Sequence, residues 1–174
     1  MEQVTQPFIS VDINPQSVEG LCEKLAAVLA LNGINVERSG DDLHVSLAYV
    51  MGNCEKSVLA QVAKKIAEHK LEARVVGVEV LEGQTTGYDY VALSFEAGNQ
   101  FAAVSQEISE ELTTRSFQGG FRSHLTLFRM KKGEAKKESV HSICRDLNLA
   151  QTKVCAKAVS VFNSSYEKQL TVAV

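Results

Sequence analysis

The sequence predicts an α+β fold, built as two similar αβ lobes that face each other across a pseudo-two-fold axis. Stretches with apolar residues at helical spacing alternate with stretches of alternating, β-branched residues. Matching stretches of the two halves are offset by a near-constant length, since His44 and His124 differ by 80 positions and the strand ends Ile13 and Phe95 by 82. The 174 residues contain no linker rich in Ser, Gly or Pro, so one domain is expected.

Each half is predicted to run strand, helix, strand, helix, strand. Four one-sided helices are expected around 18–29, 58–66, 101–112 and 140–147, with end signals at Asn14-Pro15, Gly33, Asn53 and Gly98-Asn99. The strands are expected at 7–13, 43–50, 73–81, 88–95, 123–130, 154–162 and 169–174. We therefore take 7–82 and 88–163 as the sequence repeats of a single domain spanning 1–174, with 168–174 as an extra strand.

Composition excludes several classes of protein. Eighteen Lys and Arg against 21 Asp and Glu give a net charge of -3, which does not favour indiscriminate binding to duplex nucleic acid. No apolar stretch approaches the ~20 residues that a bilayer requires, and the N-terminus lacks a signal-like pattern. The four cysteines form no CxxC pair, so we expect reduced thiols and no metal site. A cytoplasmic protein without membrane contact, and a monomer, is the favoured interpretation.

A short pattern occurs once in each half, at the equivalent predicted strand. Residues 43–47 read Leu-His-Val-Ser-Leu, and residues 123–127 read Ser-His-Leu-Thr-Leu. Side chains of a strand alternate between its two faces, so His44 shares a face with Ser46 and His124 shares one with Thr126. If the two strands meet near the pseudo-axis, two imidazoles and two hydroxyls converge on one cleft.

Such a set suits the cleavage of a phosphodiester. An imidazole titrates close to neutral pH, so one histidine can accept a proton while the other donates one to the leaving oxygen. Ser46 and Thr126 could donate hydrogen bonds to the non-bridging oxygens, which gain charge during attack on phosphorus. This scheme needs neither a metal nor a cofactor. The structural alternative is a pair of half-buried, satisfied histidines, which the repetition of the pattern disfavours.

With these motifs the sequence resembles the 2H phosphoesterases, a superfamily with one His-x-Ser/Thr motif in each lobe of a duplicated fold. Within it, the pattern is most similar to the RNA 2′,3′-cyclic phosphodiesterases, also called 2′-5′ RNA ligases. Their second motif is usually Phe-x-Pro-His-x-Thr-Leu-x-Arg, and residues 121–129 match it except at Ser123, where Pro is typical. The first motif has Ser46 where Thr is commoner. The resemblance spans most of the chain.

The resemblance implies two mainly antiparallel sheets around a central cleft, with the helices outside. It also implies a metal-independent phosphodiesterase with His44 and His124 as catalytic residues. The substrate class would be a 2′,3′-cyclic phosphate or a 2′-5′ phosphodiester in RNA or an oligonucleotide, so an RNA end, a nucleotide or an oligonucleotide is the expected partner. The sequence does not tell which histidine is the base.

Further residues are candidates for substrate contacts. Arg129, which follows Thr126 on the same strand, is a candidate phosphate ligand, with a solvated turn and helix start around the second motif as the alternative for the cations there. Tyr166 lies where relatives often place an aromatic ring near the substrate base, and it could stack on a base or simply occupy a turn. The glycine-bounded segment 83–87 could act as a lid. Cations cluster around the second motif: Arg115, Arg122, Arg129, Lys131, Lys132, Lys136 and Lys137.

Two other functions stay open at this point. One is a nucleotide-binding module that keeps the pocket but turns over little. The other is an enzyme that degrades signalling cyclic or 2′-5′ oligonucleotides. The remaining histidines, His69 at the end of the second helix and His141 within the fourth, lack a hydroxyl partner at strand spacing and are expected to have no role in the reaction.

Overall fold

Four α-helices and ten strands make up the computed structural model of the chain, which describes residues 1–40 and 42–174. The α-helices are α1 (Glu19–Leu31), α2 (Lys56–Ala67), α3 (Gln100–Glu111) and α4 (Lys137–Cys144), and a 3₁₀ turn at Pro15–Ser17 precedes α1. The strands are β1 (Gln3–Thr5), β2 (Phe8–Ile13), β3 (Glu37–Arg38), β4 (His44–Tyr49), β5 (Asn53–Glu55), β6 (Glu72–Glu82), β7 (Tyr88–Phe95), β8 (His124–Lys131), β9 (Lys153–Phe162) and β10 (Lys168–Ala173).

Two antiparallel sheets carry the fold. The first sheet has the order β4-β2-β9-β10, and the second sheet has the order β3-β8-β7-β6. They are joined where the start of β6 pairs with the start of β9, Glu72 lying opposite Cys155 and Arg74 opposite Lys153. A separate two-stranded ladder links β1 and β5. The predicted α+β fold with two mainly antiparallel sheets and outer helices is confirmed.

The last strand of each half belongs to the sheet of the other half. The elements run β2-α1-β4-α2-β6 and then β7-α3-β8-α4-β9, leaving aside the shortest strands. β6 pairs with β7 in the second sheet, whereas β9 pairs with β2 in the first. The halves therefore cannot separate without breaking the strand pairs that build both sheets. β10, the strand beyond the two halves, adds to β9.

The sequence patterns found the long elements and missed the short ones. β1, β3 and β5 have two or three residues each, too few for alternation to be visible. Asn53 lies in β5, and α2 begins after Glu55, so the predicted start signal of that helix is wrong. Asn99 does cap α3, because its side chain accepts a hydrogen bond from the Ala102 amide. Gly33 follows α1 with a φ of 74°.

The core lies between the helices and the inner faces of the two sheets. α2 packs against β9 and β10, α3 against β4, and α4 against β6 and α1. Phe101 of α3 is fully buried and meets Phe95 of β7 edge to face at 5.3 Å between ring centres. All four cysteines are free thiols. None of the helices in the described part of the chain is long and apolar enough to cross a membrane.

Candidate active site

β4 and β8 lie against each other, and each presents its histidine and its hydroxyl on one face. Val45 and Leu47 of β4 are fully buried, whereas Ser46 is half-buried and His44 is exposed. In β8 the pattern repeats, with Leu125 and Leu127 fully buried and both His124 and Thr126 half-buried. The alternation predicted for both motifs is therefore present, and solvent reaches both imidazoles.

A β-bulge interrupts both motif strands at the equivalent leucine. The register between β2 and β4 skips Leu47, and the register between β7 and β8 skips Leu127. A bulge turns two successive side chains toward the same side. The residue after Leu47 and the residue after Leu127 are accordingly buried as well. Tyr49 and Arg129 then return to the face of the histidines, which strict alternation would not predict for residues three positions after Ser46 and Thr126.

Ser46 and His124, one from each half, line a single cavity of about 320 Å³. His44 and Thr126 share the faces of these two residues, but they are not among the residues that the described part of the chain contributes to its lining. The fold therefore brings one hydroxyl and one imidazole from opposite motifs together. The other lining residues are Tyr49, Glu79, Leu81, Phe117, Gln118, Gly120, Phe121 and Arg122.

The His124 ring is oriented by the main chain. Its Nδ1 lies 3.3 Å from the carbonyl oxygen of Arg122. Because a carbonyl oxygen can only accept, Nδ1 is the nitrogen that carries the proton in the neutral ring. Nε2 then holds the free lone pair, and it is the nitrogen available to exchange a proton with a substrate.

Ser123, which stands where the resembled family usually has proline, has a structural role in this chain. It is buried, and its hydroxyl exchanges hydrogen bonds with the side chain of Asn99 at 3.0 and 3.2 Å. Asn99 also caps α3 and donates to the Glu96 carbonyl at 2.8 Å. The residue before His124 is thereby tied to the start of a helix.

The bulge of β4 is tied to the same helix. Ser105 of α3 is buried, and its hydroxyl donates to the carbonyl oxygen of Leu47 at 2.6 Å. Ser105 in the second turn of α3 and Asn99 at its N-cap thus hold the two motif strands. The relative position of the two motifs depends on this helix.

The loop between α3 and β8 borders the cavity. Its first part is pinned to the end of β4 and the residue beyond, because the Arg115 amide donates to Tyr49 and the Met51 amide to the Thr113 carbonyl. It then turns through Gly119 and Gly120, whose φ values of 81° and 87° favour glycine. Phe117 and Phe121 flank this turn and face each other at 6.3 Å between ring centres.

The predicted lid at 83–87 lies elsewhere. In the register between β7 and β8, Ser94 is opposite His124 and Tyr88 is opposite Lys131. The β6–β7 turn is therefore at the far end of β8, about 20 Å from His124 at ~3.3 Å per residue. Leu81 of β6 lines the cavity, but no residue of the turn 83–87 does. The segment around Gly119-Gly120, which was not predicted to take part, borders the cavity instead.

Solved structures of known proteins resemble this fold along nearly the whole chain. Usb1 of Kluyveromyces marxianus matches with a TM-score of 0.63 at 14% identity, over 98% of this chain and 99% of that one. E. coli LigT, complexed with NADP+, matches with a TM-score of 0.56 at 12% identity, over 98% and 94%. A phosphoesterase matches with a TM-score of 0.53 at 10% identity, over 98% of both chains. No family model and no curated protein sequence matches.

The chain has the 2H phosphoesterase fold. β4 and β8, which carry the two His-x-Ser/Thr motifs, are the strands that meet between the two sheets. The identities are low, so the comparison describes the architecture and not the substrate.

Arg129 of this 2H fold is engaged by other groups. Its Nε donates to the Glu37 carboxylate at 2.8 Å, and its guanidinium lies 4.6 Å from the ring centre of Tyr88. The hydrogen bond that Arg129 donates to Glu37 raises the pKa of Arg129 above its ordinary value. Arg129 does not line the cavity of His124. Its guanidinium is therefore held by Glu37 and Tyr88, away from the predicted phosphate contact.

Tyr166 lies one cavity away from His124. It is 77% exposed, and it adopts a φ of 61°, a conformation that costs a residue other than glycine about 1 kcal/mol or more. Its ring meets Phe8 at 5.5 Å, and Phe8 in turn meets Tyr49 at 5.7 Å. Tyr49 and Tyr166 line a second cavity of about 350 Å³ together with Arg115, and Tyr49 also lines the cavity of His124.

The remaining histidines lie outside the cavity of His124. His69 follows the end of α2, and its Nε2 lies 2.8 Å from the Glu107 carboxylate. His141 is on α4, as predicted, and lines a different cavity. No group of three or more His, Cys, Asp or Glu side chains in residues 1–40 and 42–174 is arranged to hold a metal ion.

Proposed function

We propose that the chain is a 2H-type phosphodiesterase that hydrolyses a 2′,3′-cyclic phosphate or a 2′-5′ phosphodiester in RNA or an oligonucleotide. The single observation that carries the proposal is the cavity shared by Ser46 and His124, which come from opposite halves of the sequence. A chance histidine and a chance hydroxyl would not repeat at equivalent bulged strands. The wider phosphoesterase assignment rests on the fold.

In the proposed reaction His44 and His124 divide the roles of base and acid. One imidazole takes a proton from the attacking water as the new P–O bond forms. The other protonates the ribose oxygen as its bond to phosphorus breaks. Two proton transfers, one bond formed and one bond broken balance the hydrolysis. Nε2 of His124 is the atom that would exchange the proton on the His124 side of the phosphorus.

Ser46 and Thr126 are proposed to hold the phosphoryl group. Each hydroxyl can donate one hydrogen bond, and the non-bridging oxygens gain negative charge as the attack proceeds. The half-burial of both residues favours this role, because a partly desolvated donor interacts more strongly with an anion. Arg122, which lines the same cavity, adds a positive charge. Arg129 is left out because Glu37 holds it.

The aromatic rings are proposed to bind the base. Tyr49, Phe117 and Phe121 surround the cavity, and rings of this kind bind any nucleobase by stacking. Tyr166 extends the aromatic surface into the next cavity. Usb1 has been solved with uridine monophosphate and LigT with 3′-AMP, which supports a nucleotide ligand for this fold.

A nucleotide-binding module with little turnover is the second candidate. The observation that favours it is the position of His44, which is exposed and outside the cavity lining. A cavity with one imidazole could bind a nucleotide but would lack either the base or the acid that the proposed hydrolysis needs. The two proposals differ in the need for His44, so a variant of this residue separates them.

A substrate panel in EDTA tests the proposal. It contains a 2′,3′-cyclic nucleotide, 2′-5′ and 3′-5′ dinucleotides, and cyclic oligonucleotides, and each product is identified by the oxygen that keeps the phosphate. We expect turnover of the cyclic phosphate or the 2′-5′ linkage without added metal. Tight binding with no product over hours would support the module instead. Turnover confined to cyclic oligonucleotides would indicate the signalling substrate class.

A further inference from the structure

A large open cavity lies beside that of His124 and has a different chemical character. It measures about 560 Å³ and is bordered by the second sheet, α4 and the segment after α4. Its charged and polar lining consists of Arg122, Arg145, His141, Asn148, Ser94 and Glu79. We call it the arginine pocket. The proposed reaction makes no use of it.

The arginine pocket adjoins the proposed active site. Arg122 and Glu79 line both cavities. The sheet register gives the same result, because Ser94 of β7 is opposite His124 and Gly77 of β6 is opposite Ser94. Two strand spacings of ~4.8 Å put Gly77 about 10 Å from His124 along this row. A chain-like substrate can therefore reach from one cavity to the other.

Gly77 keeps the floor of the pocket free of side chains. A Cβ built on this residue would lie 3.1 Å from the Ser94 hydroxyl, closer than ordinary packing allows. A larger residue would push Ser94 away or project into the pocket. The space beside His124 therefore depends on glycine at position 77.

The charge of the pocket favours an anion. Two arginines and one histidine face one carboxylate, in a chain whose net charge is -3. Arg122 meets Glu79 only at 3.8 Å, and its side chain is 79% exposed. Arg145 has no carboxylate within 4.0 Å in the described part of the chain. A partner with negative charge would satisfy both guanidinium groups, and phosphate fits their forked donors.

The apolar part of the lining suits a nucleoside. Val78, Leu147 and Leu149 border the pocket behind the cations. A ligand with a phosphate at one end and a sugar and base at the other would contact both parts. An inorganic ion would leave the apolar part uncovered.

We propose that the arginine pocket binds the phosphate-bearing nucleotide on one side of the scissile linkage, while the aromatic cavities bind the base on the other side. This inference rests on the proposed function and narrows it. The preferred substrate then has nucleotides on both sides of the cleaved bond, and a cyclic mononucleotide fills only part of the site.

Two substrates that differ by one phosphate test the inference. A 2′-5′ dinucleotide is compared with the same dinucleotide carrying an added terminal phosphate, placed at either end in separate samples. We expect the wild-type protein to prefer one phosphorylated form in kcat/KM by at least about 10-fold. Arg145→Gln should reduce that preference about 5- to 10-fold, and Arg145→Lys should retain part of it.

Lys64→Gln is the matched control, because it removes one charge from an exposed site on α2. It should leave the preference unchanged. If Arg145→Gln lowers kcat/KM equally for both substrates, or leaves the preference unchanged, the proposal of the arginine pocket is wrong. The phosphodiesterase proposal is not affected by that result. If no substrate is hydrolysed, anisotropy of a labelled, terminally phosphorylated dinucleotide decides: weaker binding in Arg145→Gln supports the pocket, and equal binding overturns it.

Discussion

On one face of each sheet the residues form rows that run across the strands. The leading residues of these rows match between the two sheets in two rows and differ in the third. In the first sheet the rows begin at β4 and continue through β2 to β9. They consist of His44, Asp12 and Ala158, then Ser46, Ser10 and Ser160, then Tyr49, Phe8 and Phe162.

The corresponding rows of the second sheet begin at β8 and continue through β7 to β6. They consist of His124, Ser94 and Gly77, then Thr126, Ala92 and Glu79, then Arg129, Tyr90 and Leu81. The leading residues match across the pseudo-axis in the histidine row and the hydroxyl row. In the third row an aromatic cluster on the first sheet replaces an ion-paired arginine on the second.

Under the proposed function, this difference separates the residues that act on the phosphate from the residues that bind the rest of the substrate. The residues that act on a phosphate need two-sided symmetry, because protons enter and leave on opposite sides of the phosphorus. Recognition of a base needs a surface on one side only. Under the two proposals, the aromatic row of the first sheet and the arginine pocket of the second sheet would bind the two different ends of the substrate.

Removal of either histidine should have the largest effect. We expect His44→Asn and His124→Asn each to lower kcat by about 10²- to 10⁴-fold on the best substrate of the panel, because each removes one proton-transfer group. The double variant should be little worse than either single one, since the two groups act as a unit.

The matched control for these variants is His69→Asn, which changes a histidine paired with Glu107 outside the cavity. It should keep wild-type kcat. Circular dichroism of each variant checks that the fold survives. A large loss for His124 alone would show that His44 takes no part in the reaction and would break the symmetry between the two sheets.

The hydroxyl row should show the next largest effect. Ser46→Ala and Thr126→Val each remove one donor to the phosphoryl oxygens, and we expect a loss of about 10²-fold in kcat for each. Ser46→Thr and Thr126→Ser keep the hydroxyl and should keep most of the activity. Steady-state kinetics on the same substrate gives the comparison. If Thr126→Val is as active as wild type, the phosphate contacts come from the first sheet alone.

Two serines of the hydroxyl row on the first sheet allow a test of stability. Ser10 and Ser160 are both fully buried, but Ser160 donates to the Asp12 carboxylate at 2.7 Å whereas the Ser10 hydroxyl has no hydrogen-bond partner in the described residues. Ser160→Ala should lower the free energy of unfolding by about 1–3 kcal/mol. Ser10→Ala should be neutral or stabilising. Urea unfolding of both variants is the measurement, and equal destabilisation would contradict this difference.

The thiol of Cys144 gives the smallest expected effect. Burial raises its pKa to about 11, so in the folded protein it stays protonated at a pH where an unfolded thiol ionises. The unfolded state then binds fewer protons, and the free energy of unfolding should fall as the pH rises from about 9 to about 11.

Labelling of thiols at pH 8 measures the same property. We expect the half-buried Cys155 to react first and the buried Cys144 of α4 to react only on unfolding. Rapid labelling of Cys144 in the native state would show that α4, which covers the second sheet, opens more readily than its packing against β6 indicates.

The sequence predicted the local part of the site and not the part that folding assembles. His44 with Ser46 and His124 with Thr126 follow from alternation within single strands. Sequence patterns could not show that the loop around Phe117 borders the cavity, because tertiary packing brings it there. The bulges at Leu47 and Leu127 were equally invisible, since they depend on the register with neighbouring strands.

Arg129 shows how the register between two strands decides what a predicted phosphate ligand contacts. It lies on the face of Thr126 only because of the bulge at Leu127, since the two residues are three positions apart and strict alternation would put them on opposite faces. The partner of its guanidinium, Glu37, lies on β3. This strand has two residues and left no pattern in the sequence.

The pH dependence of kcat/KM in EDTA tests the pairing of the two histidines most directly. The proposal predicts a bell-shaped profile for the wild-type protein, with one limb missing in His44→Asn and the opposite limb missing in His124→Asn. Loss of the same limb in both variants, or a profile that neither variant changes, would contradict the division of acid and base between the two halves.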